Sequence, residues 1–200
     1  MDLKLGLLTL ALMGGLTMTT IAQTTEQQLP APQTRGGKTL MEALTLRQTQ
    51  RDFLPQKEID AQTLSNLLWA TWGINRPQLQ KRTAPTAMNS QAIDVYVATA
   101  QALWRYDAKE NKLLLHKKGD LRCGKFKEAP VLFYYVAPPG DGWAKAHAGS
   151  LYQNAGLYCA SIGLGNVVIG FKQTLEEIQS RCELPAGREV VVAQAFGWTK

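Results

Sequence analysis

The sequence predicts an α+β fold, a mostly antiparallel sheet flanked by helices, on three observations. Residues 131–136 (Val-Leu-Phe-Tyr-Tyr-Val) are apolar throughout and bounded by prolines, which signals a buried strand. Residues 103–106 and 113–116 flank the polar stretch Asp107-Ala108-Lys109-Glu110-Asn111-Lys112 as the arms of a hairpin. Residues 144–162 read as a long helix. Its positions Ala148, Gly149, Tyr152, Gly156 and Cys159, continued by Gly163, form a mostly small stripe that permits close packing.

The other elements follow in chain order. Lys4 precedes an apolar run over 5–13, and Thr20-Ile21-Ala22 offers small residues at a cleavage site, so 1–22 reads as a secretory signal peptide. The run is short for a membrane span. The expected location is therefore exported, periplasmic or secreted. Residues 23–38, with Pro30, Pro32, Gly36 and Gly37, read as a flexible lead-in to a domain over 39–200. Thr39 and Glu42 fit a capping box, and Leu40, Ala43, Leu44 and Leu46 form an apolar stripe, predicting a helix over 40–50. Asp60 is a good N-cap, Ile59 and Leu64 are placed as a hydrophobic staple, and Gly73 can end that second helix. Ile93, Val95 and Val97 alternate as a strand does. Thr174 and Glu177 form a second capping box, and 189–196 closes the chain as a strand. No internal repeat occurs.

Composition narrows the function. An apolar fraction of 45% and a charged fraction of 19% exclude a wholly disordered chain, a coiled coil and a collagen-like fibre. The net charge of +6 attracts anions, but the basic residues are scattered, so nucleic acid is not expected as a partner. Three cysteines are too few for a disulfide scaffold; Cys123 and Cys182 could pair in an oxidising compartment, and Cys159 lies on the presumed buried stripe. His116 and His147 lie in different segments and no His/Cys metal spacing occurs, so no metal site is expected and each His reads as surface or satisfied. There is no nucleophile elbow and no Walker loop. Gly163-Leu164-Gly165 ends a helix instead of opening one, which excludes a dinucleotide fingerprint.

Three segments carry chemistry. In Arg47-Gln48-Thr49-Gln50-Arg51-Asp52-Phe53, Arg47 and Arg51 share one face if the helix persists. Two guanidiniums and a hydroxyl suit a phosphate, each charged contact contributing about 1.5–3 kcal/mol. In Pro85-Thr86-Ala87-Met88-Asn89-Ser90-Gln91, small polar groups suit a flat heteroaromatic edge. In Gly149-Ser150-Leu151-Tyr152-Gln153-Asn154, the two amides inside an apolar helix require partners.

Taken together, these segments resemble the nitroreductase-like flavoprotein family. The first looks like its Arg-rich motif ending in Phe, the second like its P-S-A-x-N-x-Q loop, and 149–165, with the spacing kept, like its helix running into a G-L-G turn; the three stand in the same order. Residues 103–115 also look like the branch containing azoline-oxidising peptide dehydrogenases. The resemblance implies a nitroreductase-like homodimer with FMN at the subunit interface. It implies phosphate and ribityl contacts from Arg47, Thr49 and Arg51, with Gln48 where a second Arg is common. It implies ring contacts from Pro85, Thr86, Asn89 and Gln91 of the other subunit, with Thr86 in the place of Ser. A backbone N–H near the flavin N5 maps to Ile169 and Gly170, and a basic residue on the phosphate maps to Lys200. No side-chain catalyst and no metal is implied, because the flavin carries the chemistry. The expected reaction is electron transfer to nitro, quinone or similar electron-poor substrates from a donor such as NAD(P)H. The alternatives are a flavin-dependent dehydrogenase of a small molecule or peptide, and a non-catalytic flavin-binding or ligand-binding protein.

Overall fold

The computed structural model describes residues 25–200; the signal-peptide reading of 1–22 lies outside the described residues. In chain order the elements are β1 (Glu26–Gln28), α1 (Leu40–Leu46), α2 (Ala61–Trp72), β2 (Ile74–Arg76), β3 (Lys81–Arg82), β4 (Asp94–Ala98), β5 (Ala102–Asp107), β6 (Lys112–Lys118), β7 (Val131–Ala137), α3 (Ala144–Ile162), β8 (Gly165–Ile169), α4 (Lys172–Arg181) and β9 (Glu189–Gly197). Seven strands form one sheet in the order β1-β6-β5-β4-β7-β9-β8, and every neighbouring pair is antiparallel. β2 and β3 pair separately.

Alternation along β7 explains the layers. Val131, Phe133, Tyr135 and Ala137 pack into one apolar cluster with α2 and α3. Leu132, Tyr134 and Val136 pack into another, with Ile178 of α4 and Cys123 of the 121–129 loop. Both faces of the central strand are thus covered, which is why its sequence is apolar without interruption. The hairpin forms as predicted between β5 and β6, and α3 matches its predicted limits.

The start of α2 follows its sequence signals: the Asp60 carboxylate accepts the Thr63 N–H at 2.8 Å, and Ile59 and Leu64 both join the core. At the end of α2, Gly73 lies so close to Trp69 that an added Cβ would fall 2.4 Å from its ring.

Three expectations need correction. The Thr39–Glu42 capping box is present, but α1 stops at Leu46, and Arg47 is already extended at φ −60°, ψ 117°. The next residues instead bond to another part of the sheet. The Gln50 N–H donates to the Asn166 carbonyl at 2.9 Å and the Leu54 N–H to that of Trp198 at 2.8 Å. Arg47 and Arg51 are therefore not an i,i+4 helical pair. The apolar stripe of α1 also buries only Ala43, whereas Leu40, Met41, Leu44 and Leu46 stand 45–71% exposed.

Second, part of the lead-in is not flexible. β1 pairs with β6, Leu29 is buried, and the Pro30 carbonyl accepts from the Asn111 amide. Third, α4 begins at Lys172, before the expected Thr174 cap. Thr174 is buried against Gly124, and the Glu177 carboxylate accepts the Gly124 N–H at 3.0 Å, so both residues of the supposed box serve the 121–129 loop. The G-L-G turn ends α3 as expected, with Gly163 as its left-handed cap, and leads directly into β8, an edge strand of the sheet. Among the described residues, no helix is long and apolar enough to cross a membrane.

Leu67 is fully buried between α2 and the sheet, so Leu67→Ala lowers unfolding free energy by about 2–5 kcal/mol. Lys172, 85% exposed in its ion pair, tolerates alanine within about 0.5 kcal/mol; urea unfolding of both variants checks the contrast. The Asp60 carboxyl is held below its ordinary value of 3.8, chiefly by the backbone N–H of Thr63 and then by its hydroxyl. A lowered folded-state value means that this stabilisation is complete above the ordinary carboxyl range and disappears as pH falls through the folded value. Asp60→Ala therefore costs about 1 kcal/mol at neutral pH, and the gap from wild type narrows below pH 3.8 in pH-dependent melts.

Candidate functional site

The segment after α1 runs beside the start of β8 and the residues that follow β9. Phe53 bridges to Thr199, and the Gln50 side-chain amide donates to the Thr199 hydroxyl at 3.4 Å. The crossing is close enough to require Gly165, where an added Cβ would fall 2.4 Å from the Thr199 methyl. Arg47, Gln48, Thr49 and Arg51 are exposed, as is Lys200 one residue beyond the bridge. Among the described residues, Arg47, Arg51 and Lys200 make no ion pair. An extended strip with unneutralised guanidiniums and a hydroxyl is a donor set suited to a phosphate dianion.

The second segment sits over the N-terminal end of α3. The Ala87 N–H donates to His147 Nε2 at 2.8 Å, and the Asn154 amide donates to the Thr83 carbonyl at 3.3 Å. Arg82 stacks over Trp72, 4.5 Å from the ring centroid, and donates to the Gln91 amide oxygen at 2.7 Å. The Thr86 hydroxyl accepts the Gln91 N–H at 3.1 Å. Met88, Asn89 and Gln91 all have positive φ, between 47° and 56°, conformations that cost energy for residues other than glycine and require support from the surroundings. Thr86 and Gln91 thus brace the loop, while Pro85 and Asn89 face outward and Met88 is 95% exposed.

His147 is the functional candidate that sequence reasoning passed over. It is 4% exposed, and because its Nε2 accepts a hydrogen bond, the ring proton of the neutral form belongs on Nδ1. That Nδ1 has no hydrogen-bond partner, and the nearest carboxylate, Asp141, is 4.0 Å away. His116, by contrast, is satisfied by the Cys182 and Glu183 carbonyls. Of the two amides predicted to need partners in α3, Asn154 has one and Gln153 is exposed.

Ile169 is buried at the last position of β8, and Gly170 opens beside a cavity of about 520 Å³ bordered by Pro139, Arg188 and Val190. The predicted residues thus gather in two places. The 47–51 strip is tied to β8 through the Asn166 carbonyl, and the 85–91 loop to α3 through His147.

A buried polar network fixes the β8 end of this arrangement. Gln194, fully buried in β9, accepts from the Tyr135 hydroxyl at 2.7 Å and donates to the Asn166 side chain at 2.9 Å and the Tyr152 carbonyl at 3.3 Å. Asn166 meets α3 at Gly156, where an added Cβ would stand 3.5 Å from its side-chain oxygen, an ordinary contact. A lone amide in the otherwise apolar run Val-Val-Val-Ala-Gln-Ala-Phe was the available sequence signal.

Comparison with known proteins places this geometry in context. The model of the nitroreductase family matches residues 44–198. No curated protein matches. A nitroreductase-assigned crystal structure from Ralstonia eutropha JMP134 is 33% identical, covering 88% of this chain and 90% of that one with a TM-score of 0.80. A nitroreductase with bound FMN from Bacteroides fragilis NCTC 9343 is 17% identical over 82% of this chain and 89% of that one, with a TM-score of 0.55. A chain of the E. coli microcin synthetase McbBCD complex, solved with truncated pro-MccB17 bound, is 15% identical over 96% of this chain and 85% of that one, with a TM-score of 0.63. The last two likenesses are of fold.

Gln194→Leu strands the Tyr135 hydroxyl and the Asn166 amide in the core, so it lowers stability by about 2–4 kcal/mol. Gln153→Leu, on the exposed side of α3, changes it by less than about 0.5 kcal/mol; guanidinium titration of the pair checks this.

Proposed function

The chain belongs to the nitroreductase family and is an FMN-dependent oxidoreductase, and we propose that it works as an exported homodimer passing electrons to nitro, quinone or similar electron-poor substrates. The observation that carries this reading is the exposed strip Arg47, Thr49 and Arg51 beside Lys200, cationic and without ion pairs among the described residues.

In this reading Arg47, Thr49, Arg51 and Lys200 hold the flavin phosphate, with Gln48 contributing a neutral hydrogen bond. The backbone around Ile169 and Gly170 offers an N–H to the ring edge. Pro85, Thr86, Asn89 and Gln91 arrive from the second subunit. The exposed Leu40, Met41, Leu44 and Leu46 of α1 form an apolar face of the kind that marks a partner surface. When bound, FMN supplies hydride acceptance at N5 and passes the electrons onward. The protein binds the anionic tail, orients the ring and limits water, and no side chain is assigned as acid or base. His147 and Arg82 are positioning residues that hold the 85–91 loop in its left-handed turns.

Export, read from 1–22, separates the enzyme from cytoplasmic nicotinamide pools, so the donor is NAD(P)H only where it is accessible. A second reading, oxidation of a small molecule or peptide, is favoured by the β5–β6 hairpin, whose sequence resembles the azoline-oxidising branch. Reduction of the bound flavin by NAD(P)H supports the first reading; reduction only by an oxidisable substrate supports the second.

Arg47→Ala weakens FMN binding by about tenfold or more, because a charged hydrogen bond to phosphate contributes about 1.5–3 kcal/mol. Arg188→Ala leaves it nearly unchanged, since Arg188 is committed to Asp94 and the Ala92 carbonyl. Flavin fluorescence titration measures both; equal affinities overturn the site map, and a colourless protein that FMN does not titrate overturns the function.

A further inference from the structure

His147 stands between two partners that ask for opposite protonation states. Its ring is buried in the first turn of α3, beneath the 85–91 loop. On one side Nε2 accepts the Ala87 N–H at 2.8 Å, which only a ring nitrogen without a proton does. On the other side Nδ1 has no hydrogen-bond partner and lies 4.0 Å from Asp141 Oδ2. The second oxygen of Asp141 accepts the Trp143 N–H at 2.9 Å, which fixes the carboxylate at the entrance of α3. The other elements around the ring bring no competing charge. α2, β8 and the loop itself contain no titratable side chain. β7 turns Tyr135 to this face, and its hydroxyl is spent on Gln194. Glu189 of β9 is exposed at the strand's start, Glu42 of α1 is closed in its capping box, and Lys145 of α3 is exposed. Arg82 is committed to Gln91 and to the Trp72 carbonyl. The Ala87 contact is made where the loop needs it. Met88 and Asn89, the next two residues, are left-handed, as is Gln91. Among the described residues, the bond to His147 is the one hydrogen bond from residues 85–91 to α3; the far end is held separately, by Arg82 and the Gln80 carbonyl on Gln91.

We propose that the loop and a proton compete for His147: the neutral ring, with its proton on Nδ1, seats residues 87–89, and the imidazolium turns to Asp141 and releases them. This deepens the reading above, in which His147 positions the loop and the loop meets the flavin of the second subunit. Protonation converts Nε2 from an acceptor into a donor, so two N–H groups then face each other where one hydrogen bond stood. A buried charge without a partner is costly, and the Asp141 carboxylate is the partner within reach. One proton is taken up from water and one hydrogen bond, Ala87 N–H to Nε2, is given up. The left-handed residues then lose their support at one end, while Arg82 still holds Gln91 at the other. Arg47 and Arg51 keep their charge over the same range. Acid therefore loosens the half of the site that the loop supplies and leaves the cationic strip as it was.

The test follows the FMN-loaded protein by NMR from about pH 8 to about pH 5, reading amide exchange and the ring-nitrogen shifts of His147 together. The ring shifts tell which nitrogen carries the proton, and protection factors remove the intrinsic pH dependence of exchange. At the upper end the proton is on Nδ1 and the Ala87 amide is protected. As the ring takes up its second proton, Ala87 protection falls about tenfold with the same midpoint, and the amides in the middle of α3 do not follow. His147→Gln, whose side-chain oxygen accepts but does not titrate, keeps Ala87 protected throughout. Between the two ends, the FMN dissociation constant rises about threefold or more further in the wild type than in His147→Gln, the titration of the flavin phosphate being common to both. A proton on Nε2 at the upper end, Ala87 protection that ignores the ring's titration, or the same loss in His147→Gln would each overturn the proposal, and the first two require no variant to fold. Loss of Ala87 protection as expected, with equal changes in FMN affinity, supports the competition at His147 and overturns instead the placement of the loop on the flavin.

Discussion

The requirement to cover β7 on both faces organises this molecule. A strand of seven consecutive buried residues cannot face water on either side. α2 and α3 close one face, and α4 with the 121–129 loop closes the other. Its antiparallel neighbours β4 and β9 take up its backbone groups. The remaining elements then have little freedom. α3 is pinned across the sheet by its small residues, and β8 turns back along it through the left-handed Gly163.

Polar contacts set the finer geometry. Gln194 is the one amide buried deep in β9, and its partners tie β7, β8 and α3 together at a single point. From Asn166 the same chain of contacts continues through the backbone to Gln50, and so positions the cationic strip. At the other end of α3, His147 and Arg82 hold a loop whose backbone sits in unfavourable conformations. The loop is anchored on α3 at His147, and the strip, through Asn166, meets the same helix at Gly156.

Several elements were legible in the sequence because their signals are local. The Asp60 cap, the Thr39–Glu42 box, the hairpin and the double-faced strand each depend on residues within one turn or one strand, and each is found. The order of the Arg47–Phe53, Pro85–Gln91 and Gly149–Gly165 segments, with the spacing inside the last, was likewise enough to point to the nitroreductase family.

What only the tertiary structure decided involves competition between distant groups. Thr174 and Glu177 carry a cap signature, but the loop around Gly124 claims both side chains. Residues 47–50 carry helix-compatible residues, but the Asn166 carbonyl takes the Gln50 N–H and the Trp198 carbonyl takes that of Leu54, drawing the segment out along the sheet. His147 is unremarkable as a letter in the chain and becomes important only because Ala87 arrives above it. Sequence by itself determined which segments are apolar, capped or turned, and which family they compose, since those properties rest on neighbours along the chain. Where a hydrogen-bonding group has two possible partners, one near in sequence and one near in space, the packed core decides, because burial makes leaving the spatial partner unsatisfied more costly than leaving the local one to water.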